Sequence, residues 1–301
     1  MSNNNSKTDK RISAGQWNVA WRRYKKNKVG LFGTTIVFLF VFAAIFGPYI
    51  TPYEARSIDS LFDREWSQPP SWKHPFGTTI SGYDVFSEVI HASRNNLIVS
   101  LLAITISMSI AIVIGAISGY FGGKIDTTLM AFSEIFLVIP VFFFALIFLR
   151  IFIMQVASGF GVYIVILLLG LFYWAANARL VRGEFLAIRE MEFVQASRTI
   201  GASNFRLIFR HILPNILPSV IVVTSLGIAE ITIIEAGLGF LGFGDPNTIT
   251  WGLLLQEGYI HTRLEWWGMI FPGLAVLLFV LGFNLMGDAL QDSLNPKLRE
   301  S

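Results

Sequence analysis

Carboxylates set inside long apolar runs are the residues of this sequence best able to do chemistry in a membrane. Glu230 and Glu235 fall within the apolar run 216–236, while Glu134, Arg150 and Asp288 lie in or at the edges of others. An ionised side chain near the centre of a membrane helix costs at least about 2.5 kcal/mol on insertion scales, so it persists only where water, a partner or a hydrogen bond receives it. Glu230 and Glu235 are the candidates to line or gate a translocation path; for Glu230, the deepest, an interhelical hydrogen-bonding group is the other reading. Glu134 and Asp288 lie toward the ends of their runs, within reach of water.

The rest of the chemical inventory is thin. The chain has no cysteine, which excludes disulfides, thiolate metal sites and cysteine nucleophiles. Its four histidines, His74, His91, His211 and His261, fall between the apolar runs as ordinary surface residues, without HExxH-like ligand spacing. Neither a GxSxG elbow nor a GxxxxGKS/T phosphate loop occurs. The sequence therefore predicts no catalytic residue, no metal ligand and no ATP-hydrolysing site, and the chain reads as a non-enzyme.

A second group of residues suggests mechanical coupling instead. Residues 190–215 read EMEFVQASRTIGASNFRLIFRHILPN, predicted as two helical stretches joined near Gly201, with Pro214 ending the second because proline lacks the amide donor. Ala196 and Ser197 are small enough to let a partner surface approach, and Glu192, Arg198 and Arg206 supply charge. A rigid knob of this kind can fit a groove on a partner and pass its movement to neighbouring spans.

The elements that must position these residues are membrane helices. The chain is 53% hydrophobic and only 14% charged, with mean hydropathy +0.59, more apolar than soluble domains. About six spans are expected, near 29–50, 96–119, 129–152, 160–180, 216–236 and 268–289. Residues 1–28 form a polar leader ending in a basic stretch; Trp17, Trp21 and Tyr24 recur at helical spacing and suggest a helix lying at the headgroup level, followed by a retained first span. The leader, Lys124, the stretch from Arg179 to Arg210 and the tail hold 17 of the 23 Lys and Arg, against Arg56, Arg64, Lys73, Arg94 and Arg263 on the other side, so both termini are expected in the cytoplasm. The loop 51–95 is then extracytoplasmic and the loop 181–215 cytoplasmic. Ala111, Gly115 and Gly119 place small residues on one face of the second span for close helix packing. Pro140 is expected to kink the third span, and Pro272 reads as an early-turn proline of the sixth. The modest net charge of +3 shows no basic patch interleaved with aromatics, which argues against nucleic acid as a partner.

The 190–215 segment resembles the EAA loop of binding-protein-dependent ABC importer permeases. The tripeptide is Gln195-Ala196-Ser197, the glycine four residues on from it is Gly201, and the ending is Ile212-Leu213-Pro214. Gln195 replaces the usual Glu and Ser197 the second Ala. Three further stretches resemble the C-type permeases of oligopeptide, dipeptide and nickel importers: HPFGTT at 74–79 running into GYDV at 82–85, EAGLGFLG at 235–242 followed by Trp251-Gly252, and GDALQD at 287–292 followed by Asn295-Pro296. The WRRYKKNKVG leader and GYFGG at 119–123 extend the likeness over nearly the whole chain.

The resemblance implies an all-α, type I ABC importer transmembrane domain. It comprises a leader with an interfacial helix (1–28), a first span with its extracytoplasmic loop (29–95), a permease core (96–290) carrying the coupling loop 190–215, and a cytoplasmic tail (291–301). It implies as partners a second homologous permease, two cytoplasmic ABC ATPases that bind the ATP, an extracytoplasmic solute-binding protein and the lipid bilayer of the cell membrane. No cofactor is expected in this chain. Oligopeptides or dipeptides are the expected cargo, with a nickel or metal-chelate importer as the alternative. An ion-coupled secondary transporter using Glu230 and Glu235 is the further reading, against which the docking-type knob counts.

Overall fold

A computed structural model describes residues 18–56, 66–152 and 160–294. The expected leader up to Trp17 and the tail from residue 295 onward, with its Asn295-Pro296 element, lie outside the described residues. Within them the architecture is helical, and the one β-type pairing is an isolated bridge between Thr78 and Asp84.

The elements are α1 (Lys28–Ile50), α2 (Val85–Phe121), α3 (Gly123–Val138), α4 (Val141–Ile151), α5 (Gly161–Phe172), α6 (Trp174–Arg189), α7 (Glu192–Thr199), α8 (Asn204–Phe240), α9 (Trp251–Ile260) and α10 (Trp266–Leu294). Five helical stretches are long and apolar enough to cross a membrane, with α5 and α6 together forming one of them, and α3 with α4 makes a sixth crossing if the bent pair is one span. α9, at ten residues, is too short to cross.

The spans differ from expectation where polar residues hide helix. α2 begins at Val85, not near 96, because Asp84 caps it through Ser87 N–H and because Glu88, His91, Arg94, Asn95 and Asn96 lower the local hydropathy without breaking the helix. Its 37 residues make it roughly 55 Å long at 1.5 Å per residue. The third span is broken: Pro140 forces Ile139 into an extended conformation, and α3 and α4 meet at 75°. The fourth continues to Arg189, so Arg182 and Arg189 stand on helix α6 instead of in a loop. The expected boundaries at 95/96 and 290/291 fall inside α2 and α10.

Pro214 corrects a second expectation. It does not end a helix but lies in the interior of α8, next to a π-helical turn over Leu207–Ile212 in which Leu213 N–H reaches back to Ile208 O. Proline offers no N–H to the carbonyl four residues before it, and the wider π turn stands directly before that gap while the helix runs on. Pro272 likewise lies inside α10, buried, beyond its first turn.

Small residues set the closest approaches. α2 lies against α6 along the predicted stripe: Ala111 is fully buried, a Cβ on Gly115 would sit 2.7 Å from Ala178 O, and one on Gly119 would sit 2.6 Å from Phe185 Cβ. α1 reaches α10 in the same way, with Gly33 facing the Gly282 carbonyl and Leu285. In lipid, where apolar burial between helices gains little, such contact is what dispersion and backbone proximity can exploit. The core between these helices is built from α2, α5, α6, α8 and α10, with Ile104, Leu169, Phe185, Ile231 and Phe279 fully buried.

Candidate coupling surface and membrane carboxylates

The knob forms where α6 runs out. Met191 is extended and starts α7, Val194 is buried beneath it, and Gly201 at φ +86° closes the turn with its N–H on Arg198 O. That left-handed conformation favours glycine, so Gly201 is required by geometry. Gln195 Nε2 donates to Arg189 O at 3.0 Å, tying α7 to the end of α6. Arg189 Nη1 in turn donates to Tyr120 O at 2.9 Å, tying α6 to the end of α2. Tyr120 carries the Arg198 guanidinium 5.8 Å from its ring centre and donates its hydroxyl to Asn204 Oδ1 at 2.7 Å, at the start of α8. Thus α2, α6, α7 and α8 converge on one turn.

Of the sequence-predicted residues, Glu192, Ala196, Arg198, Gly201, Arg206 and Pro214 are exposed, while Gln195 and Ser197 are half-buried. Gln195 is spent on internal hydrogen bonds, and Ser197 Oγ donates to Phe193 O. What the sequence reading overlooked is the apolar character of the surface: Ile200 is 86% exposed, Phe205 71%, and Phe209 stacks on Phe205 with ring centres 4.4 Å apart. The signal was available, since Ile200, Phe205 and Phe209 are large apolar residues in a stretch outside any span. Beneath the knob, Arg182 makes a bidentate pair with Asp126 at 2.5 Å, and Ser118 bonds the same carboxylate, joining α6, α3 and α2.

The two span carboxylates part company. Glu230 is exposed on α8 and, among the described residues, meets no hydrogen bond or ion pair within the chain. Glu235 is buried: Asn96 Nδ2 donates to it at 2.7 Å, Thr250 hydrogen-bonds the same carboxylate, and Asn96 Oδ1 receives Trp251 N–H at 2.9 Å. Glu235 therefore braces α8 to α2 and to the start of α9, while Glu230 is the carboxylate that looks outward. The fully buried Trp251 donates its indole N–H to Val89 O, a second tie between α9 and α2.

At the opposite end of the bundle the HPFGTT stretch folds over α10. Gly77 and Gly82 both take φ +76°, Trp267 Nε1 donates to Thr78 O at 3.0 Å, and Phe76 stacks on Phe271. His74 is corrected from surface residue to buried one, with Nδ1 2.9 Å from Asp84 Oδ1. His91 and His211 are also helical, in α2 and in the π turn of α8. Nearby, Arg56 bridges Glu88 of α2 and Glu257 of α9. Burial works against the charge on Arg56, but the carboxylates of Glu257 and then Glu88 outweigh it and hold its pKa above the ordinary value. The Arg56–Glu257 contact spans 201 residues of sequence, so no local pattern announces it.

Apolar helices of crossing length, several of which meet at one turn, make this a helical membrane protein. The chain belongs to the family of binding-protein-dependent transport system inner membrane components, whose model matches residues 111–300; residues 15–70 match the N-terminal TM domain of oligopeptide transport permease C. Among its relatives, the dipeptide transport system permease protein DppC of Bacillus subtilis (strain 168) is 37% identical over 294 residues, covering 96% of this chain and 88% of the relative. The oligopeptide transport system permease protein OppC of the same strain is 32% identical over 289 residues, covering 96% and 92%. The DppC protein of Alkalihalophilus pseudofirmus is 33% identical over 292 residues, covering 97% and 93%. The chain is thus an ABC importer permease subunit, a multi-pass protein of the cytoplasmic membrane.

Proposed function

We propose that this chain supplies half of a translocation path for dipeptides or oligopeptides and pairs with a second homologous permease. Two cytoplasmic ATPases bind the ATP and dock on the 190–215 knob, an extracytoplasmic binding protein delivers the cargo, and this chain has no ATPase site or cofactor of its own. Both termini lie in the cytoplasm on this reading. The cargo is taken from the naming of the relatives as dipeptide and oligopeptide permeases.

The observation that carries the coupling role is an exposed apolar set, Ile200 on the turn and Phe205 and Phe209 at the start of α8, where the knob is bonded to α2 and α6. Water exposure of such residues is unfavourable by roughly 25 cal/mol per Å² of apolar area, and a partner groove removes that cost. Closure of the ATPases would push the turn, and α8 would transmit the push to the face bearing Glu230, biasing the bundle between inward-open and outward-open states. The basic leader, with exposed Trp21 beside Lys25, suits the cytoplasmic headgroup layer.

The test is uptake into proteoliposomes containing the purified complex and its binding protein, with ATP inside. Radiolabelled dipeptide should accumulate and a nickel chelate should not. Accumulation of the chelate alone would overturn the peptide reading, and uptake driven by a proton or sodium gradient without ATP would overturn the ABC coupling.

A further inference from the structure

At the end of the bundle remote from the knob, a cavity of about 300 Å³ opens between the start of α2, α9 and the start of α10. Three carboxylates line it: Glu88, Glu257 and Glu265. Glu88 and Glu265 are each only 2% exposed, a degree of burial that carboxylates accept only with partners. Arg56 supplies part of what they need. Its backbone N–H donates to Glu88 Oε1 at 3.1 Å and its Nη2 to both oxygens of Glu257 at 2.7 and 2.8 Å. Glu265 Oε1 receives the Ser67 hydroxyl at 2.5 Å.

The accounting stays open at two facing atoms. Glu88 Oε2 is buried without a hydrogen bond; Arg56 Nε stands 3.5 Å away in poor alignment and is itself unsatisfied. Two described non-glycine residues have positive φ, Arg56 and Ser67, both at 50°, and both donate to carboxylates of this cavity. The chain thus strains its backbone to put donors here and still leaves a buried carboxylate oxygen with capacity to accept.

We propose that this cavity binds an ammonium group, the charged amino end of a peptide, seated between Glu88 and Glu257, with Arg56 as the resident cation it displaces. An ammonium offers three donors on a small charge, enough to satisfy Glu88 Oε2 and one Glu257 oxygen together, which the planar guanidinium on a strained loop does not achieve. The apolar walls from Val85, Leu254 and Pro272 suit the carbon skeleton behind it. The choice of a peptide as the amine rests on the proposed function; the ammonium site itself does not.

The experiment is saturation-transfer NMR on the assembled transporter in nanodiscs without its binding protein, using alanylalanine and N-acetylalanylalanine as probes. The free-amino peptide should take up saturation about tenfold more than the acetylated one, the scale set by one charge-assisted hydrogen-bonded pair, and Glu88→Gln and Glu257→Gln should each abolish the difference. Glu257 is part-exposed, so its variant guards against a folding defect in the buried Glu88 variant. Arg56→Gln should keep or strengthen the preference. Equal transfer to both probes in wild type, or an undiminished preference in both carboxylate variants, overturns the site; loss of the preference in a correctly assembled Arg56→Gln complex overturns the displacement. Peptide uptake without this binding leaves the proposed function standing and removes only the cavity, whereas binding without any peptide uptake does the reverse.

Discussion

Gln195 stands where the resembled loop usually carries Glu, and its amide explains the exchange. Nε2 donates to Arg189 O at 3.0 Å and to Glu190 Oε2 at 3.4 Å, bonds that a carboxylate cannot donate. Gln195→Glu would leave the Arg189 carbonyl without that donor and set a like charge beside Glu190, loosening α7 by about 1 kcal/mol. Hydrogen exchange of residues 190–200 should then speed up about fivefold; unchanged protection would mean that α7 is held by Val194 packing alone. Glu230→Gln poses the other residue-scale question. Since no group within the described chain meets that carboxylate, the variant should lower transport while expression and ATPase docking stay normal, and wild-type kinetics would return Glu230 to a merely structural role.

For the helices, the contact between α2 and α6 gives a prediction with opposite signs at two glycines. A Cβ on Gly119 would stand 2.6 Å from Phe185 Cβ and 2.7 Å from Arg182 O, whereas one on Gly183 meets nothing within 4 Å. Gly119→Ala should therefore destabilise the purified protein by about 1–3 kcal/mol through overpacking. Gly183→Ala, in the same helix pair, should stabilise it by up to about 1 kcal/mol through helix propensity. Thermal unfolding in detergent reads both, and a loss of stability at Gly183 would show that α6 has a neighbour on that face. The same pair of helices shows why some elements were legible from sequence and others were not. Ala111, Gly115 and Gly119 announce their packing because four-residue spacing is local. The start of α2 did not, because Glu88, Asn95 and Asn96 look like loop residues until their partners appear: Arg56 for Glu88, the Ile249 carbonyl for Asn95, Glu235 and Trp251 for Asn96. Hydropathy averages over such positions and discards the long-range bond that makes them tolerable. Pro214 misled for a related reason, since the π turn that accommodates it is a property of the backbone path and leaves no mark in composition.

In the whole molecule, the knob and the Glu230 face are joined by one continuous helix, α8, and the prediction that follows concerns transmission rather than docking. Gly201 holds the turn at φ +86° and bonds to Arg198 O, so Gly201→Pro both forbids the angle and removes the donor. Phe205 and Phe209 would still be exposed on α8 and Ile200 beside α7, and the spans, which depend on none of these contacts, would still insert. The complex should therefore form, and its ATPases should turn over, while uptake into proteoliposomes falls to background. Replacing Ile200 and Phe205 by Ser should fail differently, with the ATPases lost from the complex on co-purification and the turn itself intact, because these side chains are 86% and 71% exposed and Phe205 meets only the exposed ring of Phe209. Transmission through the turn requires those two phenotypes to be distinct. If Gly201→Pro instead left uptake unchanged, the push would have to enter the bundle elsewhere, and the Arg182–Asp126 pair joining α6 to α3 would be the next contact to break.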